Sequence, residues 1–240
     1  SRFPWGADST PFGVAFVSEA IAPAFRTTVT SRAVPAMVPI VVPNVLSVPD
    51  VAAIYAVALG ADGVVLASDP DRATEPVEDA AREANQALAD LGLGERVRVS
   101  DTTDPDTLAR LMDGLLEEPI ESVSTATVEP GSRHDLGLGA SVSLAAGPGT
   151  SAEAVAVPGA GSVTVDEAGC TLCSTCHDVC PTDALEQTTD TLRFDPGACV
   201  GCGHCETACP EDVMTVTGKV AIGDGTVPEA RSIVEKEMVE

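Results

Sequence analysis

Two stretches decide the reading of this 240-residue chain: Cys170-Thr171-Leu172-Cys173-Ser174-Thr175-Cys176-His177-Asp178-Val179-Cys180-Pro181 and Cys199-Val200-Gly201-Cys202-Gly203-His204-Cys205-Glu206-Thr207-Ala208-Cys209-Pro210. Both read Cys-x2-Cys-x2-Cys-x3-Cys-Pro, offset by 29 residues, and Asp166-Glu167-Ala168-Gly169 is echoed upstream by Asp195-Pro196-Gly197-Ala198. Repetition at a fixed offset marks a duplicated unit. A cubane iron–sulfur cluster needs four thiolates at tetrahedral corners, and three cysteines spaced by two residues let one tight loop wrap three of them. The fourth, on a short helix that points away, cannot reach the same cluster and ligates the other one. Each copy completes its neighbour.

Other thiol chemistry fits less well. Zinc binds Cys-x2-Cys pairs, but a tetrahedral ion gives no reason for a repeated third and fourth cysteine followed by proline. Cys173-Ser174-Thr175-Cys176-His177 matches the attachment motif of c-type haem, yet it is embedded in the larger repeat and its second copy lacks the histidine. Redox-active dithiols leave the doubling unexplained in the same way. His177 and His204 are expected to face solvent, and His134 to sit in a connecting segment; none receives a role.

Residues 162–222 resemble a bacterial-type ferredoxin domain with two [4Fe-4S] clusters, a likeness that covers about a quarter of the chain. The resemblance implies that Cys170, Cys173, Cys176 and Cys209 hold one cluster, and Cys199, Cys202, Cys205 and Cys180 the other. It also implies an α+β fold, with short strands at Ser162–Asp166 and Thr191–Phe194 and short helices at residues 181–185 and 210–214. Leu172 and Ser174 of the first loop stand where the second has Gly201 and Gly203. Glycine eases backbone amides toward the cluster, so hydrogen bonding and potential are expected to differ between the sites.

All eight cysteines lie between Cys170 and Cys209. No basic-then-apolar leader precedes them, and no apolar run of about 18 residues is uninterrupted, so a cytoplasmic protein without membrane insertion is expected. The 13 Lys+Arg against 37 Asp+Glu give a net charge of −24. A surface this acidic repels nucleic acid and anionic membranes. The only lysines are Lys219 and Lys236, and acid excess with lysine depletion resembles proteins of a salt-rich cytoplasm, such as a halophile's.

Upstream, short apolar runs alternate with amphipathic segments. Phe12–Val17, Val38–Val42, Gly63–Ala67 and Arg96–Ser100 read as buried strands. Helices are expected from Ser47-Val48-Pro49-Asp50 through Leu59, from Glu75 to Leu91, and from Asp104-Pro105 onward, with a weaker one at Glu19–Phe25. The first of these is apolar nearly all round, so it should be buried. Such alternation predicts an α/β domain with a small flavodoxin-like parallel sheet over residues 1–119. Residues 120–161 read as a Gly/Ala/Ser-rich connector, with possible strands at Ser122–Val128 and Ala140–Leu144. Gly137-Leu138-Gly139 lacks the strand, third glycine and helix of a nucleotide loop. Residues 223–240 read as an acidic tail, solvated or forming a helix with Ile233 and Val234 inward.

Residues 12–118 resemble the delta subunit of methyl-viologen-reducing hydrogenases, which passes electrons toward heterodisulfide reductase. Val38-Pro39-Ile40-Val41-Val42-Pro43, the run from Leu59 to Ala67, and Glu95-Arg96-Val97-Arg98-Val99 carry the likeness. That family binds a [2Fe-2S] cluster through cysteines after its early strands; here Asn44 and Ser68-Asp69-Pro70-Asp71-Arg72-Ala73 occupy those turns, so no [2Fe-2S] cluster is expected in this domain. The whole implies an electron-transfer segment of a hydrogenase- or heterodisulfide-reductase-like oxidoreductase rather than a catalyst acting on a substrate, with flavin or iron–sulfur subunits as partners. A free-standing carrier and an iron- or redox-sensing regulator are the alternatives.

Overall fold

The computed structural model describes residues 10–31, 36–48, 50–120, 131–147, 153–222 and 225–236. Its first part alternates β1 (Phe12–Ser18), α1 (Ala22–Ser31), β2 (Ala36–Val42), α2 (Asp50–Ala58), β3 (Gly63–Ala67), α3 (Glu75–Asp90), β4 (Val97–Ser100) and α4 (Pro105–Leu116). The four strands form one parallel sheet in the order β2-β1-β3-β4. Each strand is followed by a helix because parallel neighbours need a crossover. Alternate side chains then serve opposite faces. Ala15, Val17, Val65 and Ala67 pack with α1 and α4, while Val64, Leu66 and Val97 pack with α2 and α3. The outer strand β2 leaves Val38, Ile40 and Val41 exposed, and Pro39 in its middle withholds a donor from any added strand.

The stretch expected to connect contains a 13-residue helix, α5 (Arg133–Ala145). Ala140–Leu144, expected as a strand, is its second half, and Gly137 and Gly139 lie inside it. Its start is a capping box: the Ser132 side chain accepts from the Asp135 amide, and the Asp135 carboxylate accepts from the Ser132 amide at 2.9 Å. A Cβ on Gly137 would stand 2.7 Å from the Pro158 carbonyl oxygen and 3.0 Å from Val51, so glycine there permits close packing. The expected strand at Ser122–Val128 lies outside the described residues.

Helix α5 covers the outer side of α2, which is why α2 is buried nearly all round. One polar contact crosses this apolar seam. Arg133 donates through Nε to Asp50 Oδ1 at 2.9 Å and through a terminal nitrogen to Oδ2. Burial raises the Asp50 carboxyl, but hydrogen bonds accepted from Arg133 and the Val51 amide, with one shared with Glu83, outweigh it and hold the group below its usual range. Pro49 is outside the described residues; Asp50, the first residue of α2, accepts from the Val51 amide at 2.8 Å.

Five more strands and two helical turns repeat the chain's duplication, preceded by β5 (Val155–Ala156). In order they are β6 (Ser162–Val165), α6 (Thr175–Asp178), β7 (Leu185–Gln187), β8 (Thr191–Phe194), α7 (His204–Ala208), β9 (Met214–Thr217) and β10 (Lys219–Val220). Strand β6 pairs antiparallel with β9, and β7 with β8. The short helices fall before the prolines, at α6 and α7, and not at residues 181–185 and 210–214 as expected. Pro181 and Pro210 end the turn, and Asp183 and Asp212 take positive φ after it. The tail contributes β11 (Arg231–Glu235), paired antiparallel with β8. Val234 is inward as expected, but on a strand.

Strands β5 and β10 pair with each other, and Asp90 at the end of α3 holds both, accepting from the Ala156 amide at 2.9 Å and from Lys219 at 3.1 Å. Val155, Val157, Ala160, Val220 and Ile222 join the core formed by α2, α3, α5 and the sheet. An apolar core therefore runs from the sheet to the edge of the cysteine repeat.

Candidate iron–sulfur site

The eight cysteines are free thiols arranged as two quartets. Cys170, Cys173, Cys176 and Cys209 line one small cavity; Cys180, Cys199, Cys202 and Cys205 line the other. The fourth cysteine of each copy has crossed to its neighbour's cavity. In each quartet the first and third cysteines are buried, the second is exposed and the fourth half-buried. Among the described residues no three His, Cys, Asp or Glu side chains converge as ligands of one ion. Four thiols lining each of two cavities supply the number of ligands that a 4Fe-4S cluster takes.

The same backbone builds both loops. Leu172 and Ser174 have φ of 55° and 67°, and Gly201 and Gly203 have 66° and 74°. These left-handed positions turn the chain around the cavity, and the first loop adopts them despite its side chains. The two loops share these turns although their residue types differ. Glycine at 201 answers a second demand. A Cβ there would stand 2.8 Å from the Ala160 carbonyl oxygen, and one on Gly161 would stand 2.7 Å from the Gly201 Cα. The two backbones touch, and the Gly161 amide donates to the Cys199 carbonyl at 3.1 Å.

Both cavities have largely apolar walls: Leu172, Val213 and Met214 stand with Thr171, Thr175 and Gln187 around the first, and Val163, Phe194 and Val216 with Thr182 around the second. Burial pushes the Cys205 thiol up to about 11 and raises Cys176 and Cys199. At exposed Cys173 the Thr175 hydroxyl and amide lower it. Burial also raises Cys180, but amides of Thr182, Leu185 and Ala184 reverse the sign and leave it lowered. Helices α6 and α7, which carry Cys176 and Cys205, pack against each other.

Residues 169–213 match the family model of the 4Fe-4S dicluster domain. No curated protein matches the chain. The dicluster segment accounts for all the cysteines and supports binding of 4Fe-4S clusters and electron transfer through them. It fits the geometry: two cavities, four thiols each, on a doubled backbone. The α/β part of the chain has no cysteine. No helix among the described residues is long and apolar enough to cross a membrane.

Two histidines are placed otherwise than expected. His177 is half-buried, its Nδ1 2.7 Å from the Leu185 carbonyl oxygen. His134, on α5, spans two carbonyls beside the second quartet: Nδ1 is 2.9 Å from that of Gly159 and Nε2 2.8 Å from that of Gly197. Ser132-Arg133-His134-Asp135 carries the capping signal that could have located this helix and its histidine.

Proposed function

We propose that the chain carries single electrons through two [4Fe-4S] clusters. Cys170, Cys173, Cys176 and Cys209 hold one, and Cys199, Cys202, Cys205 and Cys180 the other. The crossing of Cys180 and Cys209 between the two cavities carries this reading, because it supplies four thiolates to each. A bound cluster supplies a one-electron couple. The protein's own residues fix the thiolates, limit water with the largely apolar walls of both sites, and pack α6 against α7. The side chains beside the two sites differ, with Thr171, Thr175 and Gln187 at the first and Val163, Phe194 and Val216 at the second, and neighbours of this kind tune such clusters.

The wider context is an oxidoreductase assembly of the hydrogenase or heterodisulfide reductase kind, with the chain as its iron–sulfur segment and a flavin or iron–sulfur subunit as partner. The sheet order β2-β1-β3-β4 supports a flavodoxin-like first domain. Without a thiolate, that domain acts as an adaptor for the partner.

Anaerobic purification of the full chain, with iron and sulfide analysis and EPR of the reduced state, tests the reading. About eight irons and eight sulfides per chain and two interacting reduced-cluster signals are expected. Cys180→Ser should perturb the cluster of the second loop and Cys209→Ser that of the first. Stoichiometric zinc in place of iron, or each substitution affecting its own loop, would overturn it.

A further inference from the structure

His134 is the second residue of α5, half-buried, and its ring lies between two groups that can only accept hydrogen bonds, the carbonyls of Gly159 and Gly197. A neutral imidazole has one N–H and one lone pair. It can donate to one of these oxygens while its lone pair faces the other; only the imidazolium donates to both. The carbonyls belong to the two segments that frame the second site. Gly159 precedes Ala160 and Gly161, whose backbone lies against Gly201, and Gly197 stands two residues before Cys199. The ring ties α5 to both.

We propose that His134 is a positioning residue for the cluster of Cys180, Cys199, Cys202 and Cys205, and that it couples reduction of that cluster to protonation. This rests on the two-cluster reading above. The cluster accepts one electron, from a redox protein or, in a test, from dithionite, and His134 takes one proton from water onto a ring nitrogen. On reduction an O–H bond of the solvent breaks as the N–H bond forms, and oxidation returns the electron to the redox partner and the proton to solvent. Added negative charge beside the ring favours the cation, and by linkage the cation favours the reduced cluster. The charged groups nearest in the fold come from α5, α2, α3 and the loop before Cys199. On α5, Arg133 is engaged by Asp50 of α2 and by Glu83 of α3 at 3.6 Å, and Asp135 is held in the capping box. In the loop before Cys199, Asp195 accepts from the Gly197 amide at 2.9 Å.

The experiment is an EPR-monitored redox titration of the full-length, cluster-loaded protein at pH values from about 5.5 to 8.5, spanning the range in which imidazoles titrate. One midpoint potential should fall as pH rises while the other stays constant. In His134→Gln, whose amide can donate but carries no titrating proton, both should be constant. The chain has three histidines, so His177→Gln and His204→Gln serve as controls and should keep the wild-type slope. Two constant potentials in the wild type, a slope surviving in His134→Gln, or a slope lost in either control would refute the coupling. The wild-type and control titrations decide the matter even if His134→Gln loses its second cluster. Iron and sulfide well below about eight per wild-type chain would instead mean that the two-cluster reading has failed.

Discussion

Leu172 and Ser174 hold left-handed backbone that L-residues avoid by roughly 1–2 kcal/mol each. Ser174 makes no capping bond with its side chain. Ser174→Gly is therefore expected to stabilise the loaded protein by about 1 kcal/mol, read as a higher denaturant midpoint for bleaching of the cluster absorbance. Gly201→Ala should do the opposite, by about 1–3 kcal/mol, because its methyl group meets the Ala160 carbonyl oxygen at 2.8 Å. Equal effects at 174 and 201 would mean that φ alone governs the loops. In the sequence the two glycines of the second loop differ from the first loop only as residue types; the touching backbone that requires one of them lies some 40 positions upstream.

Two elements differ in kind from the strands and helix expected of the connector and the tail, and each has a test. Helix α5 is fastened to α2 by Arg133 and Asp50, the latter buried and the former half-exposed. Arg133→Met leaves a buried carboxylate unpaired and should cost about 1–3 kcal/mol at neutral pH, less than a fully buried pair because the guanidinium is partly solvated. The Asp50 carboxyl is held low in the folded state, so its contribution is present above the unfolded value of about 3.9 and is lost as pH falls through the folded value. The stability gap between wild type and Asp50→Asn, followed by far-ultraviolet circular dichroism, should close as pH drops below about 4. A gap that widens in acid would have the wrong sign. Strand β11 places Val234 in the core of the dicluster segment. Val234→Ala should cost about 1–2.5 kcal/mol, seen as faster cluster loss in denaturant, whereas a solvated tail would lose nothing.

At the scale of the molecule, the net charge of −24 opposes compaction. Only part of the carboxylate population is offset, as at Asp50 with Arg133 and Asp90 with Lys219. The thermal midpoint should rise as sodium chloride is increased from about 0.01 M to 1 M, over which the screening length falls from roughly 30 Å to 3 Å. A midpoint independent of salt would show that self-repulsion is negligible. The apolar core shared by α2, α3, α5, β5 and β10 gives the cysteine repeat a rigid neighbour, which is how a histidine on α5 reaches the loop before Cys199.

The four parallel strands, the three well-punctuated helices and the two cysteine quartets were legible because their signals are local. Period-two alternation, proline and aspartate at helix starts, and a repeat of fixed spacing can each be read from a few neighbouring residues. The structure alone decided the rest. Helix α5 is rich in small residues with little one-sided pattern, since it packs closely through Gly137 and Ala140, and the tail becomes a strand only because β8 offers it an edge. The meeting of His134 with Gly159 and Gly197, and of Gly161 with Gly201, joins residues 25 to 63 positions apart. Chemistry that depends on close approach across such separations leaves no period in a sequence; it exists only once the core has brought the segments together.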